Sequence, residues 1–477
     1  MHLPAEVQSI ITTLHQAGFE AYAVGGCVRD LLLHREPKDW DVTTKARPEE
    51  IQKLFPQHFY TNRFGTVTVL TASKHAALAQ VEVTTYRIDG NYSDQRHPDE
   101  VRFSTTLEED LARRDFTINA IALDENTVID PFQGQADLEQ GIIRAVGEAS
   151  ERFQEDALRM LRAIRLASQL DYTIAADTLQ AIAAGAATIA AVSPERVRDE
   201  FLKIVMSDYP EKGFNLLQAT GLLPLILPEL AEGVGVKQNK HHIYTVFEHN
   251  IKSLQFAAQY NYSLSVRLAA LLHDVGKPRT RRRRGNDYTF YAHEIVGARM
   301  AEKLLQRLRL PREVVQQVTH LVRHHMFYYD VGRVTEAGMR RLLHRVGREN
   351  FADLIKVRIA ERKGSGVPKA EPYRLRHLQF MAEKVSRQAV TVAQLAVNGT
   401  DLIQELHLKP GPQIGGILNA LLAEVLDNPV KNERSYLLQR ARELITADPE
   451  TLKALGEKAR DEEETKRDET IRRKYHV

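Results

Sequence analysis

The sequence has very little cysteine, since Cys27 is the only one among 477 residues. A single cysteine excludes a disulfide within the chain and a zinc site made of several cysteines, and it is typical of a reducing compartment. The chain also lacks an apolar run long enough to span a bilayer, and its first residues lack the basic start and apolar stretch of a signal peptide. These absences predict a cytoplasmic protein.

An excess of charge of one sign is also absent, because 65 lysines and arginines stand against 63 aspartates and glutamates and leave a net charge of +2. The overall charge therefore does not indicate a nucleic-acid partner, although the local run Arg281-Arg282-Arg283-Arg284 is of the kind that binds one. The hydrophobic share of 43% and the charged share of 27% are typical of a globular protein. The length predicts about three domains.

The first ~145 residues differ in pattern from the rest. The segments Thr66–Leu70 and Val81–Tyr86 are β-branched and partly alternating, which predicts two strands of one sheet. Beyond Glu148 the apolar residues recur with helical spacing. Prolines that predict helix boundaries are Pro194, Pro224, Pro228, Pro311 and Pro410. We therefore expect an α+β head at 1–145 and helical parts at 146–235, 236–365 and 366–477.

The motif Asp39-Trp40-Asp41 follows shortly after Gly25-Gly26-Cys27-Val28-Arg29-Asp30. On a strand, residues two apart point to the same face, so both carboxylates can bind one or two divalent cations. The glycines let the backbone approach phosphate oxygens, and Arg29 is a bidentate phosphate donor. This pattern indicates metal-dependent phosphoryl or nucleotidyl transfer. The alternative is a Gly-Gly turn followed by two surface acids, because Asp-x-Asp alone is common.

Such a site generally includes a third carboxylate, and the sequence offers two candidates. Glu82 is favoured because Val81 and Val83 would face the core and turn Glu82 to the opposite side of a strand. Asp115 competes for the role. Glu82 is otherwise an ordinary strand residue that faces solvent.

A pair of arginines precedes an apolar segment in Arg113-Arg114-Asp115-Phe116-Thr117-Ile118-Asn119-Ala120. Two guanidinium groups in this position are suited to neutralising a triphosphate, and Arg114 is the better candidate. The alternative is the basic start of a helix whose arginines pair with Glu108 and Glu109.

The segment from Glu155 to Arg165 places charged residues at a spacing of three. These residues are Asp156, Arg159, Arg162 and Arg165. Residues three apart are neighbours on a helix, so we expect one charged strip. The strip has too few acids to neutralise itself, which predicts an anionic partner. The alternative is an exposed helix with salt bridges.

Histidines recur through the predicted helices of the middle part. The candidate metal ligands are His249, His273, Asp274, His293 and His324, the first of the pair His324-His325. Imidazole and carboxylate groups from neighbouring helices make a site suited to a transition metal, such as Ni, Mn, Co or Fe. The pattern resembles the HD phosphohydrolase family, including its His-Asp-x-Gly-Lys signature. The last acidic metal ligand expected in that family would be Asp353 or Glu361. The alternative is that these histidines have only a structural role.

Five short motifs occur in a characteristic order. They are Gly-Gly-x-x-Arg-Asp, Asp-x-Asp, the segment Phe64 to Val69, Arg-Arg-Asp-Phe-Thr-Ile-Asn-Ala and Glu-Asp-x-x-Arg. In this order the chain resembles the class II tRNA nucleotidyltransferases, strongly over its first ~230 residues. The stretch from Thr85 through Pro98 resembles the flexible loop of that family. Segments 395–402 and 410–415 resemble the tail of its Gram-positive type.

The resemblance implies a polymerase-β-like mixed sheet in the nucleotidyltransferase head, an all-α neck, a body with an HD domain, and a tail that binds tRNA. It implies that Asp39 and Asp41 bind Mg²⁺ and that Asp156 and Arg159 read the base. The residues implied to hold the triphosphate are Gly26, Arg29 and Arg114, and those implied to complete the nucleotide site are Arg162 and Arg165. The implied partners are tRNA, CTP and ATP, with no membrane and no obligatory protein partner.

The implied activity is addition or repair of the CCA end of tRNA without a nucleic-acid template. Bacterial poly(A) polymerases share this head, but they usually carry a Gly-Arg-Arg-Phe-Arg-type segment where this chain has Asn62-Arg63-Phe64-Gly65-Thr66-Val67. An enzyme that adds only the terminal A is harder to exclude. Alternatives from other classes are an HD phosphohydrolase acting on RNA 3′-phosphate or cyclic-phosphate ends, which is compatible with a second activity, and a noncatalytic tRNA-binding factor.

Overall fold

The computed structural model has an α+β part at the start of the chain and mostly helices after it. The ranges that it describes are 2–60, 65–89, 101–124, 127–238, 243–285, 287–327, 334–366, 373–385, 391–448, 450–452 and 455.

A seven-stranded mixed sheet forms the centre of the head. Its strands in chain order are β1 (Ala21–Val24), β2 (Asp41–Thr44), β3 (His58–Tyr60), β4 (Thr66–Leu70), β5 (Gln80–Thr85), β8 (Ala122–Asp124) and β9 (Thr127–Ile129), while β6 (Arg87–Asp89) and β7 (Val101–Phe103) pair separately. The order across the sheet is β3-β4-β5-β2-β1-β8-β9. Only β2 and β5 are parallel neighbours among the described strands of this sheet. The predicted mixed sheet is therefore confirmed.

Alternating residues explain why two of these strands form. Val67 and Val69 on β4 are buried, as are Val81 and Val83 on β5, while Glu82 between the last two is exposed. Branched apolar residues at every second position suit a sheet with one face against a core. The structure confirms both predicted strands, β4 with the expected bounds and β5 shifted by one residue.

Five helices and a 3-10 turn complete the head. They are α1 (Ala5–Gln16), α2 (Gly26–Leu32), α3 (Pro48–Leu54), α4 (Leu107–Ala112), the turn Thr117–Asn119 and α5 (Gly134–Gln140). A Cβ atom on Gly134 would lie 2.2 Å from the carbonyl oxygen of Thr117, so only glycine lets α5 lie against the turn.

Short helices follow the head. They are α6 (Ala149–Glu155), α7 (Leu158–Leu170), α8 (Ala176–Gly185), α9 (Pro194–Val205), α10 (Pro210–Ala219), α11 (Leu223–Ile226) and α12 (Pro228–Ala231). Two-residue strands β10 (Ile142–Ile143) and β11 (Thr173–Ile174) pair in parallel and tie this part to the end of the head. Pro194 and Pro228 are the first residues of their helices, where a missing N–H costs no helical hydrogen bond.

The rest of the described chain is helical apart from one hairpin. The helices are α13 (Val246–Gln259), α14 (Leu264–Leu272), α15 (Lys277–Thr280), α16 (His293–Arg307), α17 (Arg312–His324), α18 (Glu336–Val346), α19 (Arg348–Gly364), α20 (Tyr373–Val385), α21 (Gly399–Leu406), α22 (Pro412–Asp427) and α23 (Arg434–Leu444), and the hairpin strands are β12 (Arg282–Arg284) and β13 (Asp287–Thr289). Helix α14 is buried from Ser265 to Leu272 and packs against α13, α17 and α19. The two residues after it, His273 and Asp274, therefore lie inside the protein. None of the helices described is long and apolar enough to cross a membrane.

Candidate active site

The two carboxylates of the Asp-x-Asp motif lie where strand β2 begins. Asp39 is in the bend before the strand, and Asp41 is its first residue. Trp40 between them is buried, whereas Asp39 is exposed and Asp41 is partly exposed. Both carboxylates therefore lie on the side away from the core, which is the arrangement that the spacing predicted.

Glu82 lies beside Asp41 on the neighbouring strand. In the parallel pairing of β2 with β5, Asp41 is in register with Glu82, and hydrogen-bonded strands are about 4.8 Å apart. Val81 and Val83 are buried while Glu82 is exposed. Asp41 and Glu82 therefore lie side by side on the sheet, and the charge of Asp39 acts on Asp41 from the bend before β2.

The electrostatics of Asp41 reflect this crowding. Burial, together with the nearby charges of Glu82 and Asp39, raises the pKa of Asp41 to about 6, although Arg114 and Arg162 act in the opposite direction. A carboxylate that is costly to ionise beside two other acids is a good partner for a divalent cation, which would neutralise the group.

Asp115, the competing third carboxylate, has other partners. Its Oδ2 accepts a hydrogen bond from Nε of Arg162 at 2.7 Å, and its Oδ1 accepts one from Nδ2 of Asn119 at 3.1 Å. Burial alone would raise the pKa of Asp115, but Arg162 and Asn119 outweigh it and hold the pKa well below its usual value. The geometry thus favours Glu82 over Asp115.

Gly25 brings the backbone against both an arginine and the acidic group. Its φ is +86°, and a Cβ atom there would lie 2.9 Å from Nη1 of Arg114 and 3.7 Å from Oδ2 of Asp41. Any other residue would be strained and would displace the guanidinium. The first glycine of the pair therefore makes the close approach, although the sequence favoured its neighbour Gly26, beside which Arg29 lies.

The arginine pair 113–114 is anchored from within the head. Both side chains contact the buried carboxylate of Asp110, Arg113 at 2.7 Å and Arg114 at 3.5 Å. The expected alternative partners Glu108 and Glu109 form none of the ion pairs recorded for the described residues. Arg114 stays partly exposed, with 18% of its side chain accessible, so it has a free surface next to Asp41.

Arg29 is held in place by two neighbours. Its Nε donates to Oδ1 of Asp30 at 2.9 Å, and its Nη1 donates to Oδ1 of Asn119 at 2.8 Å. Asn119 also donates to Asp115. The amide of Asn119 therefore links the Gly-Gly-x-x-Arg-Asp motif to the Arg-Arg-Asp motif, which lies 90 residues away in the chain.

The prediction that Asp156 lies on the same helix face as Arg159 was wrong. Asp156 is the residue after α6 and is not helical, with φ −146° and ψ +104°, and α7 begins at Leu158. Oδ1 of Asp156 accepts a hydrogen bond from the N–H of Leu158 at 3.0 Å, as short polar side chains do at a helix start. Asp156 and Arg159 thus belong to a helix break and a helix, not to one helix face.

Each member of the strip also has a partner of opposite charge. The carboxylate of Asp156 accepts hydrogen bonds from both Nη atoms of Arg196 on α9, at 3.2 and 2.7 Å. Arg159 pairs with Glu155. The remaining pairs are Arg162 with Asp115 and Arg165 with Glu200. The prediction of an unneutralised strip was therefore wrong, because Glu155 lies just before α7 and Asp115 and Glu200 come from elements distant in sequence.

The histidine cluster in the middle of the chain is completely interior. The Nε2 atoms of His249 and His273 lie 3.0 Å apart, and those of His293 and His325 lie 3.3 Å apart. Asp274 lies between the two pairs, with Oδ2 at 3.3 Å from Nε2 of His273 and Oδ1 at 3.2 Å from Nε2 of His293. His249, His273 and Asp274 form one group of mutually close ligand atoms, and Asp274, His293 and His325 form another.

Hydrogen bonds orient these rings so that Nε2 faces inward. Nδ1 of His273 lies 2.8 Å from the carbonyl oxygen of Ala270, and Nδ1 of His293 and His325 lie equally close to backbone carbonyls. A carbonyl can only accept, so Nδ1 carries the proton and Nε2 presents a lone pair. Several lone pairs and a carboxylate facing one another fit a metal cation.

The histidine of the pair 324–325 that joins the cluster is His325, not the predicted candidate ligand His324. His325 is fully buried and joins the cluster, whereas the ring of His324 packs at 4.6 Å from that of His320. Burial and the charges of His320 and two arginines lower the pKa of His324 to about 3. Adjacent residues on a helix point about 100° apart, so only one of the two reaches the interior.

Glu361 is the acid near this cluster. Burial alone would raise its pKa, but Arg358, His273 and His325 lower it to about 2. Asp353 instead binds Lys356 and Gln317. Of the two acids that the sequence offered, Glu361 is therefore the one that interacts with the histidines.

Some contributors were missed because no local spacing indicates them. Arg196 and Glu200 lie on α9, some 40 residues from Asp156 and Arg165, so only the packing of α9 on α7 brings them together. Other predicted features lie outside the described residues. They are Asn62, Arg63, Phe64 and the part from Gly90 through Pro98 of the loop predicted at Thr85–Pro98.

Three family models match the chain in order. Residues 21–144 match the poly A polymerase head domain, residues 171–233 match a probable RNA- and SrmB-binding site of polymerase A, and residues 289–441 match a putative second domain of tRNA nucleotidyltransferases.

Curated proteins are similar over almost the whole chain. The CCA-adding enzyme of Geobacillus stearothermophilus is 35% identical over 443 residues, which cover 92% of this chain and 97% of that protein. The CCA-adding enzyme of Lactiplantibacillus plantarum is 35% identical over 450 residues with the same coverage. Among solved structures, the CCA-adding enzyme of Bacillus stearothermophilus in complex with CTP matches with a TM-score of 0.68 and 32% identity, over 92% of this chain and 97% of that one.

Proposed function

Because the chain belongs to the family of class II CCA-adding enzymes, we propose that it builds or repairs the CCA end of tRNA from CTP and ATP without a nucleic-acid template. The observation that carries the proposal is the meeting of Asp41, Glu82, Gly25 and Arg114 at one place on the head sheet. The reaction joins the RNA 3′-hydroxyl to the α-phosphorus of the nucleotide and releases pyrophosphate. Relatives named CCA-adding enzymes match nearly the full chain, so poly(A) synthesis and addition of the terminal A alone are not favoured.

The acidic group fits Mg²⁺. Mg²⁺ binds carboxylate oxygens, and Asp39, Asp41 and Glu82 supply them beside Gly25, whose missing side chain lets the Arg114 guanidinium approach Asp41. Use of a divalent metal is a property of this family, and in the site Mg²⁺ would stabilise negative charge on the attacking and leaving oxygens. We assign Asp39 and Asp41 as its ligands and Glu82 as the third carboxylate.

The guanidinium groups around Gly25 and Gly26 bind the triphosphate in this proposal. Arg114 lies next to Asp41, and Arg29 is oriented by Asp30 and Asn119. Fixed guanidinium groups bind phosphate oxygens with two donors each, which holds the α-phosphorus in one position.

The base is assigned to Asp156 and Arg159. Cytosine and adenine both present an amine donor beside an accepting ring nitrogen, whereas uracil and guanine present a carbonyl beside a ring N–H. Aspartate accepts and arginine donates, so this pair matches CTP and ATP and opposes the other two. Arg162 and Arg165 complete the site from α7, where their acidic partners fix them.

Incorporation assays with tRNA transcripts test this function. Transcripts that lack one, two or three terminal residues are incubated with each labelled nucleotide separately and with CTP plus ATP. We expect C, C and A to be added in that order and no further. The Asp39→Ala, Asp41→Ala double variant is the control, and incorporation by it above background contradicts the assignment of these carboxylates.

A second activity is favoured by the histidine cluster. We propose that it holds a transition metal through His249, His273, Asp274, His293 and His325, with Glu361 nearby, and that it hydrolyses 3′-phosphate or cyclic-phosphate ends of RNA as HD phosphohydrolases do. Inward-facing Nε2 atoms support metal binding. Metal analysis of the purified protein and release of phosphate from RNA with such ends test it. A protein with neither metal nor hydrolysis contradicts it.

The organisation of the chain stays a proposal at the same level. We propose a nucleotidyltransferase head at 1–145, a neck at 146–235, an HD-type part at 236–365 and a tail that binds tRNA at 366–477. The single cysteine and the tRNA substrate support a cytoplasmic location.

A further inference from the structure

A hairpin between two members of the histidine cluster carries an unusual concentration of positive charge. We call residues 281–285 and 287–291 the arginine hairpin. It contains four consecutive arginines, of which Arg282, Arg283 and Arg284 are exposed. The strands are in register, with Arg283 opposite Tyr288 and Arg284 opposite Asp287. Strand side chains alternate between faces, so arginines project from both faces of the hairpin.

These arginines differ from most others in the protein by lacking acidic partners. No ion pair with Arg281, Arg282, Arg283 or Arg284 is found among the described residues, and Asp287 opposite Arg284 forms none either. By contrast, Arg279 two residues earlier pairs with Glu232, and the arginines of α7 are all paired. Unpaired, exposed guanidinium groups have donors available for an anion.

Aromatic rings accompany the charge. Arg281 stacks on the ring of Tyr288 with its Cζ 3.6 Å from the ring centre, and Tyr291 is 56% exposed at the end of the hairpin. Exposed tyrosines and arginine planes are surfaces on which unstacked RNA bases pack. An acidic protein surface would use the charge but would not need the exposed ring.

The hairpin is joined directly to the histidine cluster. It follows Lys277, whose Nζ is 2.6 Å from Oδ2 of Asp274, and it is followed by His293. Five residues of extended chain from Lys277 to Arg282 reach at most about 18 Å. A strand of RNA held by the hairpin is therefore held close to the cluster.

We propose that the arginine hairpin binds the phosphate backbone of the RNA substrate and contributes a large share of its salt-dependent affinity. The proposal rests on the proposed function, since tRNA is taken as the substrate. A chain with a net charge of only +2 binds a polyanion through local clusters, and each arginine–phosphate contact releases counterions.

Salt-dependent binding of a labelled tRNA transcript lacking CCA tests the hairpin. For the triple variant Arg282→Gln, Arg283→Gln, Arg284→Gln we expect a Kd about tenfold higher than wild type at 100 mM KCl. The slope of log Kd against log salt should fall by about 2–3. The triple Arg→Lys variant should keep most of the slope, because counterion release depends on charge.

A matched control removes three positive charges elsewhere. Arg307, Arg309 and Lys356 have acidic partners in Glu229, Glu195 and Asp353, and 40% or more of each of the three side chains is exposed. Their triple change to Gln should leave affinity and slope near wild type. An equal loss in the control, an unchanged slope in the hairpin variant, or a Lys variant as weak as the Gln variant overturns the proposal. Failure of the wild-type protein to add CCA contradicts the proposed function instead, and thermal melting of each variant confirms folding.

Discussion

At the scale of single residues, the candidate active site depends on side chains whose pKa is shifted by partners distant in sequence. Asp115 is the clearest case, since Arg162 on another element outweighs its burial and lowers its pKa. The pair therefore joins the head to α7 across 47 residues of sequence. Removing Asp115 leaves Arg162, whose side chain is 38% exposed, without this counterion, and losing a hydrogen bond between charged groups typically costs about 1.5–3 kcal/mol.

Asp115→Asn should therefore lower the free energy of unfolding, and the loss should depend on pH. A group with a depressed folded-state pKa contributes stability above its unfolded pKa of about 3.9, and this contribution disappears as pH falls through the folded-state value. We expect a loss of about 2 kcal/mol at pH 7 and a smaller difference from wild type at pH 3. Denaturant unfolding at both pH values measures it. Asp199→Asn, which removes an exposed acid, is the control, and an equal loss at both pH values contradicts the argument.

Arg196 is the residue that the structure adds to the pair proposed to select the base. It holds both carboxylate oxygens of Asp156 through its two Nη atoms. Arg196→Lys keeps the charge but loses this fork, so Asp156 would be less well oriented. We expect kcat/KM for CTP and ATP to fall about tenfold, as for loss of one charged hydrogen bond, and relative incorporation of UTP and GTP to rise.

Arg198→Lys is a matched control for this experiment, because it lies on the same helix and pairs with Asp199. A purely structural role of Arg196 would lower the melting temperature and leave the ratio of CTP to UTP incorporation unchanged.

At the scale of secondary structure elements, close backbone contacts decide where the histidine ligands lie. A Cβ atom on Gly276 would be 2.2 Å from the carbonyl oxygen of His293 and 2.5 Å from the amide nitrogen of Gly297. The turn after Asp274 therefore rests directly on the first turns of α16. This contact sets the position of His293 relative to Asp274.

Gly276→Ala should push α16 away and disturb the cluster. Overpacking of this kind costs about 1–3 kcal/mol or more, and the metal content of the protein should fall with it. Metal analysis together with thermal melting measures both effects. Gly415→Ala on α22 is the control, because a Cβ atom added there would have no neighbouring atom from outside its own turn within 4 Å. This change should stabilise the protein slightly. A Gly276→Ala protein with normal metal content and stability contradicts this account.

At the scale of the whole molecule, two chemically different sites occupy separate parts of the chain. The carboxylates lie on the head sheet, and the histidines lie among helices α13, α14, α16 and α17. The first has the carboxylate oxygens that we propose bind Mg²⁺, and the second has mainly the imidazoles that we propose bind a transition metal. The two sites should therefore be separable by mutation.

The His273→Ala, Asp274→Ala variant should lose the transition metal and any phosphoester hydrolysis while it keeps CCA addition. The Asp39→Ala, Asp41→Ala variant should lose CCA addition while it keeps the metal. Incorporation assays and metal analysis of the same preparations measure both outcomes. Loss of both activities in either variant would show that the sites depend on each other.

The sequence by itself determined the family, the mixed sheet and most of the candidate residues. Alternating valines predicted β4 and β5, and the same alternation turned Glu82 away from the core, whereas the pairing of β5 with β2 brings it beside Asp41. These features are local, because strand alternation, glycine turns and short motifs are properties of a few neighbouring residues. The bounds of β4 and the side on which Glu82 lies follow from the same local pattern.

Only the tertiary structure decided which residues meet across long stretches of chain. It pairs Arg196 with Asp156 and Arg162 with Asp115. It also places Asp156 between two helices and brings His325, not His324, into the histidine cluster. The spacing of three that predicted one charged strip was correct for Arg159, Arg162 and Arg165 on α7, but it carried no information about α9 or the head. Charge pairing and ligand convergence depend on how elements pack, and packing brings together residues that no sequence spacing relates.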